Sequence, residues 1–272
     1  MSNPEIVNSI KTGNYNTNYH DLGEGEVVLF IHGSGPGVSA YANWRLAMPE
    51  IAKNNRVIAP DMAGFGYTDR VEGVTYNMDV WVKQAIDLMD ALNIDKFHVV
   101  GNSFGGALAL SLSINHPERI GKVVLMGAMG IDFELTAGLD QAWGYTPSLE
   151  NMKSLLDTFA YSRVLVTDEL AKMRYDASIR PGFQESFGSM FPAPRQSSVS
   201  AMASDEKDIA AIDKDVLIIH GRDDKVIPFE NSVRLHKLII KSQMHGFGEC
   251  GHWSQIEHKH RFNKLLVDFF AE

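Results

Sequence analysis

The chain has 272 residues, of which 44% are hydrophobic and 22% are charged, and its formal net charge is −9. This composition is typical of a folded globular protein, and the length is near the upper limit for one hydrophobic core. The negative charge argues against a general binder of nucleic acid or of anionic membranes. It also means that an anionic ligand needs a local cation.

The N-terminus and the cysteine content bear on location. The stretch "MSNPEIVNSIKTG" has no basic region followed by an apolar run, so we expect no signal peptide. No apolar run approaches the roughly 20 residues that a membrane helix needs. The single cysteine, Cys250, cannot form an intramolecular disulfide, and we expect a buried structural thiol. We therefore expect a cytoplasmic protein that does not bind membranes.

Strand and helix patterns alternate along most of the chain. Residues 5–22 predict an antiparallel edge pair with its turn at Gly13 and Asn14. Amphipathic stretches at 78–94 and 257–270 predict helices. The alternation predicts an α/β fold with a parallel sheet wrapped by helices. Nearly continuous apolar runs, typical of strands covered on both faces, occupy residues 27–33, 56–61, 97–103, 122–128 and 215–221.

The alternation stops in the segment 131–212. We interpret this segment as a helical cap inserted into a core formed by residues 1–130 and 213–272. The alternative is a set of long crossover helices, but about 80 residues is long for such connections. Helical patterns within the segment occupy residues 148–161, 167–178 and 182–191.

A serine stands where a predicted strand meets a predicted helix. The string "GNSFG", residues 101–105, has the G-x-S-x-G form of a nucleophile elbow. In such an elbow the serine backbone is strained, and the positions two before and two after, Gly101 and Gly105, must be nearly free of side chains. The alternative is a plain N-capping serine. The helix N-terminus favours negative charge, so the position favours Ser103 as a nucleophile.

A serine nucleophile needs a base and an orienting acid, which in this architecture follow in the order Ser, Asp or Glu, His. The last predicted strand is followed by Asp223 and Asp224, and the residues alone leave the choice between them open. His252, next to Gly251 and just before the last helix, is the best candidate for the base.

Other histidines fit this order less well. His32 precedes the serine and His220 precedes the acid. His258 and His260 lie on the last predicted helix, where we expect them to be solvated. No further ligand cluster accompanies that pair, so no metal site is expected.

The glycine-rich string "HGSGPG", residues 32–37, predicts an oxyanion hole. Such a loop lets a backbone N–H approach a substrate oxygen, and the N–H groups of Ser34 and Phe104 would be the two donors. A phosphate-binding loop is the alternative, but the string lacks the Lys-Ser/Thr ending.

The strings "SGPGVSAYANWR", "RPGFQESF" and "GHWSQIE" join these motifs. With them the chain resembles, over essentially its whole length, the meta-cleavage product hydrolases of aromatic degradation, and most of all those of monoalkylbenzene and phenol pathways. The resemblance implies an α/β-hydrolase fold with a mostly parallel eight-stranded sheet, flanking helices and a helical cap. It implies cofactor-free, serine-dependent hydrolysis of a carbon–carbon bond in 2-hydroxy-6-oxo-2,4-dienoates. The products would be 2-hydroxypenta-2,4-dienoate and a carboxylic acid.

The resemblance also implies roles for single residues. It selects Asp224 over Asp223, and it makes Arg174 the local cation for the substrate carboxylate. A surface salt bridge of Arg174 with Asp168 or Glu169 is the alternative. The residues implied to hold the dienoate end are Asn43, Asn102, Arg174 and Trp253. The expected apolar acyl pocket, whose members are equally compatible with ordinary core, comprises Met129, Trp143, Val199, Val226 and Ile227.

Two rival functions remain open at the level of sequence. An esterase for small carboxylic esters would use the same triad. A ligand receptor built on a hydrolase scaffold is the second rival, and the intact triad disfavours it. The expected ligand is a small anionic dienoate, with no nucleic-acid partner, and relatives of this kind imply self-association, most simply as a homodimer.

Overall fold

The computed structural model describes residues 3–272, so the first two residues of the predicted core lie outside the described residues. Eight strands form one sheet: β1 (Asn8–Thr12), β2 (Tyr15–Leu22), β3 (Val27–Ile31), β4 (Arg56–Pro60), β5 (Phe97–Asn102), β6 (Ile120–Met126), β7 (Val216–Gly221) and β8 (Ser242–Phe247). Their order is β1-β2-β4-β3-β5-β6-β7-β8. Only the pairings of β2 are antiparallel, so the mostly parallel sheet predicted from the sequence is confirmed.

The antiparallel edge pair was also predicted correctly. Strands β1 and β2 pair with Thr12 opposite Tyr15, which leaves Gly13 and Asn14 as a two-residue turn. Gly13 has a φ of 57°, a conformation that glycine adopts without a steric penalty.

Apolar side chains of the central strands point alternately into two cores. Leu29 and Ile31 of β3 pack into one hydrophobic cluster, whereas Val28 and Phe30 pack into the other. Because successive side chains of a strand face opposite sides of the sheet, a strand covered on both faces needs an unbroken apolar run. Each such side chain contributes about 1.5–3 kcal/mol when fully buried.

Helices lie on both faces of the sheet and in the segment 131–212. In chain order they are α1 (Ala40–Trp44), α2 (Met48–Ile51), α3 (Met78–Ala91), α4 (Phe104–Asn115), α5 (Ala137–Trp143), α6 (Leu149–Phe159), α7 (Asp168–Ser178), α8 (Phe183–Met190), α9 (Gln196–Ala201), α10 (Glu206–Ala210), α11 (Phe229–Leu238), α12 (Ser254–Glu257) and α13 (Lys259–Ala271). Several begin at side-chain caps that are visible in the sequence. Asn77, Ser148 and Thr167 each accept a hydrogen bond from the backbone N–H three residues ahead, and such a cap stabilises a helix by about 1 kcal/mol.

The segment 131–212 contains helices α5 to α10 and no strand, and it lies between β6 and β7. Two hydrogen bonds tie it to loops at the carboxyl ends of the strands. Thr136 Oγ1 donates to the carbonyl oxygen of Val226 at 2.7 Å, and the backbone N–H of His252 donates to the carbonyl oxygen of Phe159 at 2.7 Å. In open α/β sheets this edge is where ligands bind.

Candidate active site

The predicted elbow lies at the junction of β5 and α4. Ser103 has φ 53° and ψ −112°, a conformation that few non-glycine residues adopt and that costs about 1–3 kcal/mol. A Cβ atom at Gly101 would overlap the carbonyl oxygen of Gly105, and one at Gly105 would overlap that of Ile31. The helix can therefore start directly behind the serine only if both flanking positions are glycine.

Asp224 and His252 lie against each other behind the elbow. His252 Nδ1 is 2.7 Å from Asp224 Oδ2, and the carboxylate is fully buried. The other oxygen, Oδ1, accepts hydrogen bonds from the backbone N–H groups of Val226 at 2.7 Å and Ile227 at 3.0 Å. Asp223, the rival left open by the sequence, is partly exposed and lies 3.6 Å from Arg222 instead.

A second histidine also contacts the buried carboxylate. His220 Nε2 is 3.0 Å from Asp224 Oδ2. Burial opposes ionisation of Asp224, but the charges and hydrogen bonds of His252 and His220 outweigh it and hold the pKa of Asp224 below its ordinary value. His220 precedes the acid in the chain and was therefore not predicted to be the base, and its contact with Asp224 was not predicted either.

Ser103 and His252 line the same cavity. Within residues 3–272, no hydrogen bond joins the Ser103 hydroxyl to the imidazole. Such bonds are often long or poorly aligned in ligand-free active sites and tighten when the substrate binds.

Two hydrogen bonds of the His32 ring hold the loop 32–37 in place. The buried His32 accepts a hydrogen bond at Nε2 from the backbone N–H of Met62 at 3.0 Å, so its neutral ring carries the proton on Nδ1, which donates to the carbonyl oxygen of Gly33 at 2.8 Å. In the described part of the chain, the backbone N–H groups of Ser34 and Phe104 make no hydrogen bond. Both are therefore free to donate to an oxyanion.

Asn43 connects this loop to the elbow. Its Oδ1 accepts from the backbone N–H of Gly33 at 3.2 Å and from Asn102 Nδ2 at 2.9 Å. Among residues 3–272, Asn43 Nδ2 and Asn102 Oδ1 are buried without a partner. Both asparagines line the cavity, as does Trp253, whose ring packs 5.4 Å from that of Phe159.

The cavity has a volume of about 240 Å³ and holds two guanidinium groups. Arg174 donates to the carbonyl oxygen of Pro36 at 3.1 Å, and Arg45 donates to that of Ala42 at 2.6 Å. Burial in the protein lowers the pKa of Arg174 to about 10; the negative charge of Glu5 opposes this shift, and the positive charges of Arg45 and Arg180 add to it. Arg174 therefore stays protonated near neutrality.

Neither arginine forms a salt bridge with a residue that the structure describes, and Glu5, the acid whose charge acts on Arg174, pairs with Arg180 at 3.4 Å. Within the described chain, no cavity-lining residue is Asp or Glu and no salt bridge involves Arg45 or Arg174. The alternative of a salt bridge from Arg174 to Asp168 is wrong, because Asp168 pairs with Lys153 at 2.7 Å. The sequence analysis missed Arg45, although it lies in the quoted string "SAYANWR".

The apolar end of the cavity differs from the expectation. Of the five residues expected there, Val226 lines the cavity, together with the apolar side chains of Leu139, Ala142 and Phe159. The other four lie behind the wall because their side chains fill the hydrophobic core: Met129, Trp143, Val199 and Ile227. Trp143 stacks on Phe191, with ring centroids 4.2 Å apart.

The remaining candidates behave as structural groups. Cys250 is buried, and burial raises the pKa of its thiol to about 12. His260 is exposed, but His258, expected to be solvated, is partly buried and stacks on Phe247 at 4.5 Å. Residues 3–272 contain no group of three or more His, Cys, Asp or Glu side chains that could hold a metal ion. No helix in that range has the length and apolar character of a membrane span.

Comparison with known proteins places this site in a family. The family model described as "alpha/beta hydrolase fold" matches residues 26–259. The chain is 55% identical, over 99% of its length and 98% of the relative's, to a 2-hydroxy-6-oxo-2,4-heptadienoate hydrolase of Pseudomonas putida. It is also 55% identical, over 100% of its length and 96% of the relative's, to a 2-hydroxymuconate semialdehyde hydrolase of Pseudomonas sp. strain CF600.

A solved structure agrees with these matches. The meta-cleavage product hydrolase from Pseudomonas fluorescens IP01, in a mutant form complexed with acetates, superposes with a TM-score of 0.98 at 58% identity, over 99% of each chain. The chain therefore belongs to the α/β-hydrolase fold family and, within it, to the meta-cleavage product hydrolases.

Proposed function

We propose that the protein hydrolyses a carbon–carbon bond in 2-hydroxy-6-oxo-2,4-dienoates, releasing 2-hydroxypenta-2,4-dienoate and a carboxylic acid. One observation carries the proposal: the cavity that contains Ser103 and His252 also contains two guanidinium groups and no acid among its described lining residues. Unpaired cations in a partly buried cavity favour an anionic ligand. The two relatives at 55% identity support the proposal, since one is a 2-hydroxy-6-oxo-2,4-heptadienoate hydrolase and the other a 2-hydroxymuconate semialdehyde hydrolase.

The dienoate end binds at the polar side of the cavity. Arg174 faces the carboxylate and the 2-oxygen, since a guanidinium pairs with two such oxygens through parallel N–H groups. Arg45 adds a second positive charge to the same cavity. Asn43, Asn102 and Trp253 shape the remaining wall, where the buried, unpartnered amide atoms of the asparagines offer one donor and one acceptor.

The first chemical step moves a proton. A carbon–carbon bond breaks only if the departing carbanion is stabilised, and ketonisation at C2 with protonation at C5 prepares such a leaving group. His252 takes the proton of the 2-hydroxyl and delivers one to C5, because it is the imidazole in the cavity and Asp224 orients it at 2.7 Å.

The second step adds the elements of water across the C5–C6 bond. Attack at the C6 ketone, by Ser103 or by a water that it positions, gives a tetrahedral oxyanion that accepts from the N–H groups of Ser34 and Phe104. The C5–C6 bond then breaks. Its electron pair leaves as an enolate delocalised to the 2-oxygen. Where water attacked, C6 is then the carboxylic acid; where Ser103 attacked, C6 is an ester of the serine, which a water hydrolyses to the carboxylic acid and free Ser103.

The helical segment has a part in this proposal. We treat residues 131–212 as the cap and residues 3–130 and 213–272 as the core, since Leu139, Ala142, Phe159 and Arg174 of the segment line the cavity together with Ser103 and His252 of the core. The cap therefore supplies one cation and about half of the apolar lining residues. Cytoplasmic location and a homodimer are also proposed, and sedimentation of the purified protein tests the dimer.

The test follows the chromophore of the dienoate. Purified enzyme should bleach 6-alkyl or 6-aldehyde substrates with release of one carboxylic acid per substrate, and Ser103→Ala should lower kcat by about three orders of magnitude or more. Ser111→Ala, at a partly exposed position of α4 that does not line the cavity, is the matched control and should retain full activity. An enzyme that cleaves small esters but bleaches none of these dienoates would be an esterase and would contradict the proposal.

A further inference from the structure

Two histidines share one oxygen of the buried Asp224 carboxylate. Oδ2 lies 2.7 Å from His252 Nδ1 and 3.0 Å from His220 Nε2. Both Asp224 and His220 have side chains that are 0% exposed. Since two backbone N–H groups bind Oδ1, the carboxylate accepts from four donors in all. The hydrogen bond from His252 Nδ1 is enough to orient the His252 ring. The contact of His220 with the same oxygen therefore has another role.

The neighbours of His220 determine where its proton lies. Nε2 faces two acceptors, Asp224 Oδ2 and the carbonyl oxygen of Ile227 at 3.2 Å, so it carries a proton. Nδ1 lies 2.6 Å from Ser232 Oγ, which donates to it when the ring is neutral. A continuous path of hydrogen bonds therefore leads from Ser232 through His220 and Asp224 to His252.

We propose that His220 is a positioning residue that sets the basicity of His252. Its Nε2–H group takes part of the negative charge of Oδ2, so the carboxylate stabilises the imidazolium form of His252 less than it otherwise would. Removal of His220 should therefore favour the imidazolium form of His252 and weaken His252 as an acceptor of the substrate proton. This inference rests on the proposed function only in treating His252 as the base.

The geometry distinguishes an effect of His220 on the charge of Asp224 Oδ2 from a structural role in holding the carboxylate in place. Without His220, the backbone N–H groups of Val226 and Ile227 still hold Oδ1, so the carboxylate keeps its place while Oδ2 loses one of its two donors. The other titratable or charged groups that face this region are unaltered by substitution of His220: Arg45, Arg174, Asp223, Cys250 and Glu257.

The experiment compares three substitutions in the full-length enzyme. The titration of the His252 imidazole is followed by NMR, and the acidic limb of the pH profile of kcat/KM is measured beside it. His220→Leu should raise the pKa of His252 and the apparent pKa of the acidic limb by about one unit each. A shift of this size corresponds to the loss of about one hydrogen bond to a charged group. His220→Gln, whose amide N–H can reach Oδ2, should stay close to the parent enzyme. Ser232→Ala should shift both upward by a smaller amount, because it weakens the donor without removing it.

A matched control removes another buried imidazole. His20 is 5% exposed, stacks on Tyr41 and has no contact with the triad, so His20→Leu should leave the His252 titration unchanged. An unchanged or lowered pKa of His252 in folded His220→Leu overturns the proposal, as does a loss of activity that is uniform at all pH values.

Two further outcomes remain decisive. Should His220→Leu not fold, an upward shift in Ser232→Ala supports the proposal, and the absence of a shift overturns it. Because the NMR titration needs no substrate, it tests His220 even where the parent enzyme cleaves no dienoate, a result that would overturn only the proposed function.

Discussion

Trp143 of the helical segment donates a hydrogen bond from Nε1 to Ser34 Oγ, 3.0 Å away and 109 residues earlier in the chain. The bond is buried, and it joins α5 to the loop whose Ser34 N–H is a proposed oxyanion donor. We predict that Trp143→Phe, which removes the donor but leaves an aromatic ring against Phe191, lowers kcat by about fivefold through a less ordered loop. Steady-state kinetics with a 6-methyl dienoate measure the effect.

Trp44→Phe provides the control for this prediction. Trp44 is equally buried, but its indole N–H has no partner within the described residues and it does not line the cavity. We expect this variant to lose stability but to keep its kcat. Equal losses of kcat in the two variants would show that the bond to Ser34 has no effect on turnover.

The second prediction concerns the two cavity arginines. Arg45→Gln and Arg174→Gln should each lower kcat/KM for the dienoate by about 10–100-fold, because each removes a charge-assisted contact with an anion. Hydrolysis of the neutral ester 4-nitrophenyl acetate should change less than about threefold. Arg195→Gln is the control, since Arg195 pairs with Asp140 outside the cavity. Parallel losses on both substrates would contradict an anion-binding role.

The central strands were predictable because a strand buried on both faces of the sheet has a nearly continuous apolar sequence. Strand β7 is buried at every position and appears as an apolar run. Strand β8 was missed: it forms the sheet edge, its string "SQMHGF" has only two large apolar residues, and one of its six residues is buried. A strand with one exposed edge and few apolar contacts differs little from a loop in sequence.

The site was predictable only where a motif constrains the backbone. The elbow at Ser103 needs glycine at fixed offsets, and the loop at Ser34 carries a distinctive glycine-rich string, so the sequence alone predicts them. No such constraint tells which of several arginines faces a cavity, and Arg45 was therefore missed. For the same reason the sequence does not separate a cavity wall such as Leu139 from the core side chain of Trp143 one helical turn further on.

The third prediction concerns the size of the C6 substituent. Leu139 on α5 lines the cavity and is 1% exposed. Leu139→Ala enlarges the apolar wall, so the ratio of kcat/KM for a 6-phenyl over a 6-methyl dienoate should rise by about tenfold. The void left by the shorter side chain should also lower the free energy of unfolding by about 2–5 kcal/mol. Leu88→Ala, in the core and away from the cavity, should have a similar cost and an unchanged ratio. A ratio that rises in both variants would show that looser packing alone accounts for it.

The last prediction concerns the stability of the fold in acid. Burial lowers the pKa of His32 to about 4, although its hydrogen bond to Gly33 acts in the opposite direction. Between an unfolded pKa of about 6.5 and this value, the unfolded chain binds a proton that the native state does not. The free energy of unfolding therefore falls as pH falls through this window, by up to about 3 kcal/mol from this group alone.

Replacing the ring isolates this contribution. Burial raises the pKa of Asp61 to about 6, although the N–H groups that bind the carboxylate act in the opposite direction. Asp61 therefore makes the free energy of unfolding rise as pH falls. Because both proteins contain Asp61, its contribution cancels in the difference between them. The free energy of unfolding is measured by urea titration, and at pH 7 it should be larger for the parent than for His32→Gln. At pH 4.5 this difference should be smaller by about 2–3 kcal/mol, because there the unfolded parent binds a proton on His32 that the native state mostly does not. An advantage of the same size at both pH values would mean that His32 is not held neutral by burial beneath the loop.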